Sequence, residues 1–448
     1  MSSTATSVPE PASGPSGFVR NSTVRFAADA SGLLLGTISS VVTARVLGPT
    51  GKGTLAALTF VTLLMVQCCT LGLGDAAVVR VGQQKASPQQ ALSSSLTIVV
   101  ASSFVGALLV LVYAAVQLPL AEHGVWAAVV TACVTVVVST AAQLLIFIVY
   151  ATHRIMAVSL LTIAMSLITT AGVVIFCSLL DLGVFGGVLA SLAAGACGFA
   201  FASMLLRQSQ LALRPRLDRS YIRPALTFGV RTQLATVLAY SSARVDLLLV
   251  YALASQTQAG YYSVALTLGT ITGFIAVAVS YASFPSMTQM ADADALRLAT
   301  QLARVAFGVG ALLAVGLSVV VSGLIPLLVG DAYQGAVTPA IILLFGNVLW
   351  GGQWMLSRAL AALGDPELLF RSFAFNLAIM VAADLILIPR LDAVGAAVGS
   401  VLGPAAGLTL CLWAYREKGV NARQFIPQVA DLRRVHDLIR RRGRAVDT

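Results

Sequence analysis

The stretch "ARVLGPTGKGTLAALTFVTLL", residues 44–64, carries a glycine-rich run with a lysine inside it. A phosphate-cradling loop needs Gly, four residues, Gly-Lys and then Ser or Thr, because the hydroxyl holds magnesium while backbone N–H groups wrap the phosphates. Here Val46 stands five residues before Gly51, and Gly53 follows Lys52, leaving Thr54 one place too late. What remains, Gly48-Pro49-Thr50-Gly51, is turn chemistry between two apolar runs. The arrangement recurs in "VYALASQTQAGYYSVALTLGTI", residues 250–271, where a polar turn closes on Gly260, 207 positions after Gly53.

Composition says what such turns connect. Of 448 residues, 58% are hydrophobic and 10% charged, whereas a soluble surface needs about a quarter charged. Apolar runs of about 20 residues cross about 30 Å of hydrocarbon, and twelve are readable, near 26–47, 54–74, 92–117, 124–149, 157–180, 185–206, 225–252, 259–285, 303–329, 337–361, 371–389 and 393–415. Many are rich in Gly, Ala, Ser and Thr, which let helices approach closely in lipid. Strands of a porin-like barrel would alternate over about ten residues, and these runs do not. The expectation is an all-α membrane protein of about twelve transmembrane helices.

The halves repeat beyond the first turn. "VYATHRIMAVSL" (149–160) aligns with "LAALGDPELLFRS" (360–372), and "GVFGGVLASLAAG" with "LDAVGAAVGSVLG" places Gly186 on Gly395 and Ser191 on Ser400. Similar offsets in chain order predict two six-helix lobes. The expected division is a disordered cytoplasmic tail over 1–24, an N-terminal lobe over 25–206, a basic cytoplasmic linker over 207–224, a C-terminal lobe over 225–415 and a basic tail over 416–448. In that last tail Phe425, Val429, Leu432, Val435 and Ile439 make an apolar stripe flanked by arginines, suited to a helix on an anionic leaflet or to a solvated tail.

Orientation follows from basic residues, which accumulate on the cytoplasmic side. With the N-terminus inside, the inner segments collect twenty-two, while Arg45, Lys52 and Arg390 lie outside. Both termini are therefore expected in the cytoplasm. The net charge of +10 is a topology signal, and no nucleic-acid partner is needed to explain it. The 25 Arg against 3 Lys fit a GC-rich bacterial genome, hence the bacterial cytoplasmic membrane. Cys68, Cys69, Cys133, Cys177, Cys197 and Cys411 sit in apolar spans without CxxC spacing, and the three histidines form no ligand pair. No metal, cofactor or catalytic set is read, and the short loops leave no room for a nucleotide-binding domain.

Ala44-Arg45-Val46-Leu47-Gly48-Pro49 to Gly53, then "LGLGDAAVVR" (71–80), Asp246 with "AGYYSVALTLG", and "LILIPRLDAVGAAVGS" (385–400) resemble the polysaccharide-export flippases of the MOP superfamily, the Wzx-type carriers of lipid-linked oligosaccharides. The resemblance covers nearly the whole chain. It implies two six-helix lobes in a V, as in MATE-like transporters, and alternating access that moves an undecaprenyl-pyrophosphate-linked glycan between leaflets. Membrane lipids and the lipid-linked glycan are then the partners, with the polysaccharide polymerase machinery as the candidate protein partner. The family pattern has Asn in the eleventh span where this chain has Asp384, so no role is carried over there.

Charges inside spans face the bundle interior or water, and a pyrophosphate is matched by guanidinium groups. Candidate substrate-binding residues are Arg45, Gln233, Tyr240, Arg244, Asn347, Trp354 and Arg358. Gln233, Tyr240, Arg244 and Tyr251 are spaced 7, 4 and 7, one helical stripe; Asn347, Gly351, Trp354 and Arg358 step 4, 3 and 4, another. Arg45 and Arg231 lie near enough to an interface to snorkel, which Arg244 and Arg358 do not. Asp29, Asp246 and Asp384 are the candidate ion-coupling carboxylates. Two other readings stay open: a multidrug-type antiporter, which would want acidic residues in its cavity, and a membrane polymerase or glycosyltransferase, which would want clustered carboxylates where only Glu122, Asp181, Asp331 and Asp392 are scattered in outer loops.

Overall fold

The computed structural model describes residues 15–420, apart from 121–123, 153, 214–215, 288–289 and 364, together with 422–425. Its main elements are α1 (Pro15–Cys69), α2 (Leu73–Gly82), α3 (Pro88–Gln117), α4 (Val125–Ala151), α5 (Ile155–Val173), α6 (Gly183–Gln208), α7 (Arg219–Ser242), α8 (Val245–Leu253), α9 (Gln256–Met287), α10 (Asp292–Val329), α11 (Val337–Ala362) and α12 (Pro366–Glu417). A π-helical turn, Val174–Leu179, continues α5. No strand occurs among the described residues.

Two helices are too long for one crossing. At 1.5 Å per residue the 55 residues of α1 would reach about 80 Å, more than twice the hydrocarbon thickness. Gly48 breaks it, with φ 65° and ψ 179°. Pro49, which has no N–H to lose, starts the second run. In α12 the break is at Asp392, φ 51° and ψ −132°. Gly183, φ 59°, opens α6 at the equivalent turn of the first half. Nine helices among the described residues are long and apolar enough to span, and α7 with α8, bent by 49°, makes a tenth. Dividing α1 and α12 at their breaks gives the twelve spans expected, and the chain is a multi-pass membrane protein.

The helix α1 starts at Pro15, ten residues inside the segment read as a disordered tail; proline at the first helical position loses no hydrogen bond. The amphipathic helix expected after residue 425 lies outside the described residues. Phe425 itself is buried and meets Tyr415 edge-on, ring centroids 5.4 Å apart.

The apolar core has one large body at one end and two at the other, with a small satellite of Val173, Cys177 and Ala190 packed on Val42 and Phe176. At the end carrying the Gly48 turn, the outer end under the charge-based topology, Leu58 and Val129 of the first half share a continuous core with Val250, Tyr262, Ile325 and Ala396 of the second. At the opposite end Leu92, Leu144 and Leu206 form one core and Leu296, Leu356 and Leu360 another. Packing therefore joins the lobes at the Gly48 end and leaves them separate at the other, which is a V.

The linker runs as a fastened strap. Gln89 Nε2 donates to the Ala212 carbonyl at 2.7 Å while the Ala212 N–H donates to Gln89 Oε1 at 2.8 Å. Further on, Ser94 Oγ donates to the Arg216 carbonyl at 3.2 Å. Asp218 caps α7 through the Ser220 N–H at 2.9 Å and also accepts from Gln90 Nε2 at 2.6 Å. Ser220 and Gln90 hold the Asp218 carboxyl down at about 2. The lower half of α7, expected in the C-terminal lobe, is thereby bound to the N-terminal one, and α8 packs on α12.

Candidate functional site

At the closed end the lobes meet through equivalent residues. Thr50 and Thr257, 207 positions apart, have hydroxyls 3.0 Å from one another. Gly53 lies against the Gln256 carbonyl and Gly260 against the Pro49 carbonyl; a Cβ at either glycine would stand 1.9 Å from that oxygen. The two contacts are images of each other, because 49 and 53 map onto 256 and 260. Ser40 and Thr267 hydroxyls add a cross-lobe bond of 3.0 Å. Beside it lies a void of about 20 Å³ lined by Thr37, Ser40 and Thr267 and by the apolar Val41, Val264, Leu268 and Ile325.

Arg45 belongs to this closure. Its Nε and Nη2 donate to the Leu328 and Leu327 carbonyls at 2.5 and 2.6 Å, in the last turn of α10, where helix carbonyls lack intrahelical partners. Lys52, assigned to an outer loop by charge counting, is buried, with Nζ 2.7 Å from Thr43 Oγ1. Gly53, next to Lys52, draws the turn against the other lobe, while Gly51 meets only Leu47 of its own helix.

The α7 stripe does not survive folding. Gln233 and Tyr251 are buried while Tyr240 and Arg244 are exposed. Stripe arithmetic assumes an unbroken helix, and Arg244, with φ −155° and ψ 0°, stands at the bend between α7 and α8. Gln233 turns to the N-terminal lobe, its Nε2 donating to the Gln67 carbonyl at 2.6 Å, and Gln143 Nε2 donates to Gln67 Oε1 at 2.7 Å. The exposed face of α7 presents Arg223, Pro224, Thr227, Phe228 and Arg231.

The α11 stripe keeps its geometry and faces α9. Asn347 Nδ2 donates within its own helix to the Leu343 carbonyl at 3.0 Å, and its side chain sits where a Cβ on Gly269 would go. Lower on the stripe, the Arg358 guanidinium lies 4.7 Å from the Tyr281 ring centre and 5.6 Å from that of Trp354. Trp350 stacks on Trp354 at 5.6 Å, and Phe373 meets it edge-on at 5.7 Å. This is a cation held by aromatic faces.

Of the three carboxylates, Asp29 has a side chain outside the described residues. Asp246 and Asp384 are both buried in the C-terminal lobe. Asp246 accepts from Tyr262 at 2.5 Å, from the Leu247 N–H at 2.7 Å and from the Ser400 hydroxyl. Neither oxygen of Asp384 has a hydrogen-bond partner among the described residues. It rests on the bare backbone of Gly399, where a Cβ would come within 1.9 Å. Gly403 and Gly407 leave the same room for Asn376 and Gln353, which bond each other at 2.7 Å. Sequence reading missed Tyr262 and Ser400 because hydroxyls in an apolar run carry no charge signal, although Ser400 was matched to Ser191 by the repeat. No group of three or more His, Cys, Asp or Glu suited to a metal occurs among the described residues.

The family described as polysaccharide biosynthesis protein matches residues 42–338. No curated protein matches the sequence significantly. Among solved structures, lipid II flippase MurJ in an inward closed conformation aligns with TM-score 0.68 at 13% identity, over 89% of this chain and 88% of that one. A multidrug resistance MATE family transporter in an outward-facing conformation aligns with TM-score 0.65 at 14% identity, over 89% and 94%. A MOP superfamily transporter from Pyrococcus furiosus, described as having a binding pocket of reverse polarity, aligns with TM-score 0.61 at 13% identity, over 90% and 96%. At such identities these likenesses speak to the fold, which is that of MOP superfamily transporters.

Proposed function

The chain belongs to the polysaccharide biosynthesis protein family, and from that premise we propose that it flips an undecaprenyl-pyrophosphate-linked oligosaccharide across the bacterial cytoplasmic membrane. It acts as a carrier, with no chemical step, delivering the glycan for the polysaccharide polymerase machinery. The observation that carries the reading is the single core at one end and the divided core at the other. A cleft of that kind opens to one side of the membrane, and rocking the lobes about the Gly48 end would open it to the other. With both termini cytoplasmic, the open side faces the cytoplasm, where such substrates are assembled.

The charges favour an anionic cargo. Arg223, Arg231 and Arg244 are exposed, whereas Asp246 and Asp384 are 1% and 0% exposed. An organic-cation antiporter of the same fold would want its carboxylates in reach of the drug. Arg244 and Arg358 are proposed to contact the pyrophosphate and the glycan on its path, with Tyr240 and Trp354 as aromatic surfaces. The buried Asp246 and Asp384 are proposed to couple an ion or proton to the lobe movement, since carboxylates within spans are rare and mark ion or proton paths.

Depleting the protein in its own host tests this. Lipid-linked glycan should accumulate in the inner leaflet, and ethidium efflux should stay unchanged. Loss of efflux without glycan accumulation would refute the reading in favour of the multidrug type.

A further inference from the structure

Three glutamines from three helices meet where the single apolar core gives way to the divided one. The shared core reaches Met65 in α1 and Val136 in α4, and the N-terminal core of the open end begins at Leu71 and Ala141. Gln67 falls in that gap, and Gln143 lies two residues past it. The helix α1 ends at Cys69, and the backbone at Leu71, φ 50°, and Gly72, φ 66°, turns the chain into α2. Carbonyls in the last turn of a helix have no intrahelical donor. That of Gln67 accepts instead from Gln233 Nε2 of α7 at 2.6 Å and from Thr70 Oγ1 at 2.8 Å. Two glycines let α7 come this close, since a Cβ on Gly72 would stand 2.0 Å from the Gly229 oxygen.

Gln67 Oε1 accepts from Gln143 Nε2 at 2.7 Å. An amide held by its oxygen turns its nitrogen outward. Gln67 Nε2, Gln143 Oε1 and Gln233 Oε1 thus have no hydrogen-bond partner among the described residues, yet none of the three atoms is sealed in the interior. Their surroundings are closed, with Val66, Cys69, Ala142 and Leu144 buried and Gln233 itself 8% exposed. Polar groups that reach out of a span face the bundle interior or water rather than lipid. From these residues α7 leads to the bend at Arg244 and on to the second lobe, which puts the amides at the root of the cleft.

We propose that Gln67, Gln143 and Gln233 form a sugar subsite that reads hydroxyl groups of the cargo's glycan. The subsite rests on the carrier function proposed above and adds to it a place where the glycan, rather than the phosphate, is recognised. A sugar hydroxyl both donates and accepts, and the free amide atoms offer the two N–H donors of Gln67 beside the carbonyl oxygens of Gln143 and Gln233. The set is neutral, which suits a polyol and gives a phosphate no charge to meet. Gln67 and Gln233 are oriented before cargo arrives, which lowers the cost of ordering side chains on binding.

Full-length protein in phosphatidylcholine nanodiscs would be titrated with undecaprenyl pyrophosphate carrying one glucose, galactose or N-acetylglucosamine, and with bare undecaprenyl pyrophosphate, bound lipid being counted by native mass spectrometry. At least one sugar-bearing lipid should bind about tenfold better than the bare one, the worth of one or two net hydrogen bonds. Gln67→Met should reduce that advantage about three- to tenfold, because it removes the amide and keeps the main-chain carbonyl that holds α7. Gln143→Met should reduce it too, through loss of the partner that orients Gln67. Affinity for the bare lipid should not change in either variant. Equal losses for sugar-bearing and bare lipid would make the amides structural ties, and an undiminished advantage in both variants would leave them without a sugar; either result, or no advantage for any of the three sugars in the wild type, overturns the subsite. If depletion in the host leaves lipid-linked glycan unaccumulated while the Gln67-dependent advantage persists, the carrier reading fails and the subsite stands.

Discussion

Adding one methyl group at Gly260 should weaken the closed end of the V. A Cβ there would stand 1.9 Å from the Pro49 carbonyl oxygen and 2.7 Å from its carbon, whereas carbon and oxygen ordinarily meet at about 3.3 Å. The obstacle is backbone at the start of a helix, so α9 must move from α1 by about 1.4 Å to restore that spacing. Overpacking of this kind costs about 1–3 kcal/mol, and with no side chain able to yield the upper value applies. The cost falls only on the conformation in which these ends touch. About 3 kcal/mol corresponds to more than a hundredfold in the closed-to-open ratio. With the native cysteines replaced, a Thr50→Cys/Thr257→Cys pair reports closure, because the parent hydroxyls are 3.0 Å apart. Under mild oxidant the pair should cross-link rapidly in the parent and at least about tenfold more slowly with Gly260→Ala or Gly53→Ala, allowing for a partly offset population shift. Gly36→Ala, which would meet nothing within 4 Å, is the control. Wild-type cross-linking in the Gly260→Ala protein would refute the claim that this contact is tight and state-specific.

Other consequences follow from the remaining geometry. Arg358→Ala should reduce flipping about ten- to a hundredfold under limiting expression, with Arg358→Lys intermediate; unimpaired flipping would make this arginine structural. Trp354→Ala, removing a ring packed by Trp350, Phe373 and Tyr281, should destabilise the protein by about 3 kcal/mol, read as a lower melting temperature in detergent. Asp384→Asn should abolish the response of flipping to an ion or proton gradient; a retained response would remove Asp384 from coupling. Asp218, held at about 2 by Ser220 and Gln90, stabilises the strap only when ionised. Its contribution is present above the ordinary carboxylate value near 4 and lost as pH falls through 2. The melting-temperature difference between wild type and Asp218→Asn should therefore shrink between pH 4 and pH 2, and a constant difference would contradict the assignment.

The twelve spans and their pairing were legible because they rest on length, apolarity and glycine. The offset of 207 between Gly53 and Gly260 became a physical contact between the two halves, as did Thr50 with Thr257. Site residues were harder to read, for specific reasons. The Gln233-to-Tyr251 stripe failed at Ala243-Arg244 because residue spacing predicts a face only along a continuous helix, and the preceding Ser241-Ser242 pair was the available warning. Arg45 looked like a membrane-edge cation and serves the unsatisfied carbonyls of α10, a partner 282 residues away. Lys52 looked solvated and is buried, its ammonium donating to Thr43 of its own half.

The central claim is that this chain carries a lipid-linked glycan between leaflets, and reconstitution tests it most directly. Purified protein in sealed vesicles, loaded with a fluorescent undecaprenyl-pyrophosphate oligosaccharide, would be followed by quenching of the outer leaflet with a membrane-impermeant reductant. The account predicts that the inner-leaflet fraction becomes reducible in the presence of the protein, and that the Thr50→Cys/Thr257→Cys cross-link, by locking the lobes at the Gly48 end, stops it. An inner-leaflet fraction that stays protected at all protein densities, or exchange that continues in the cross-linked protein, would contradict it.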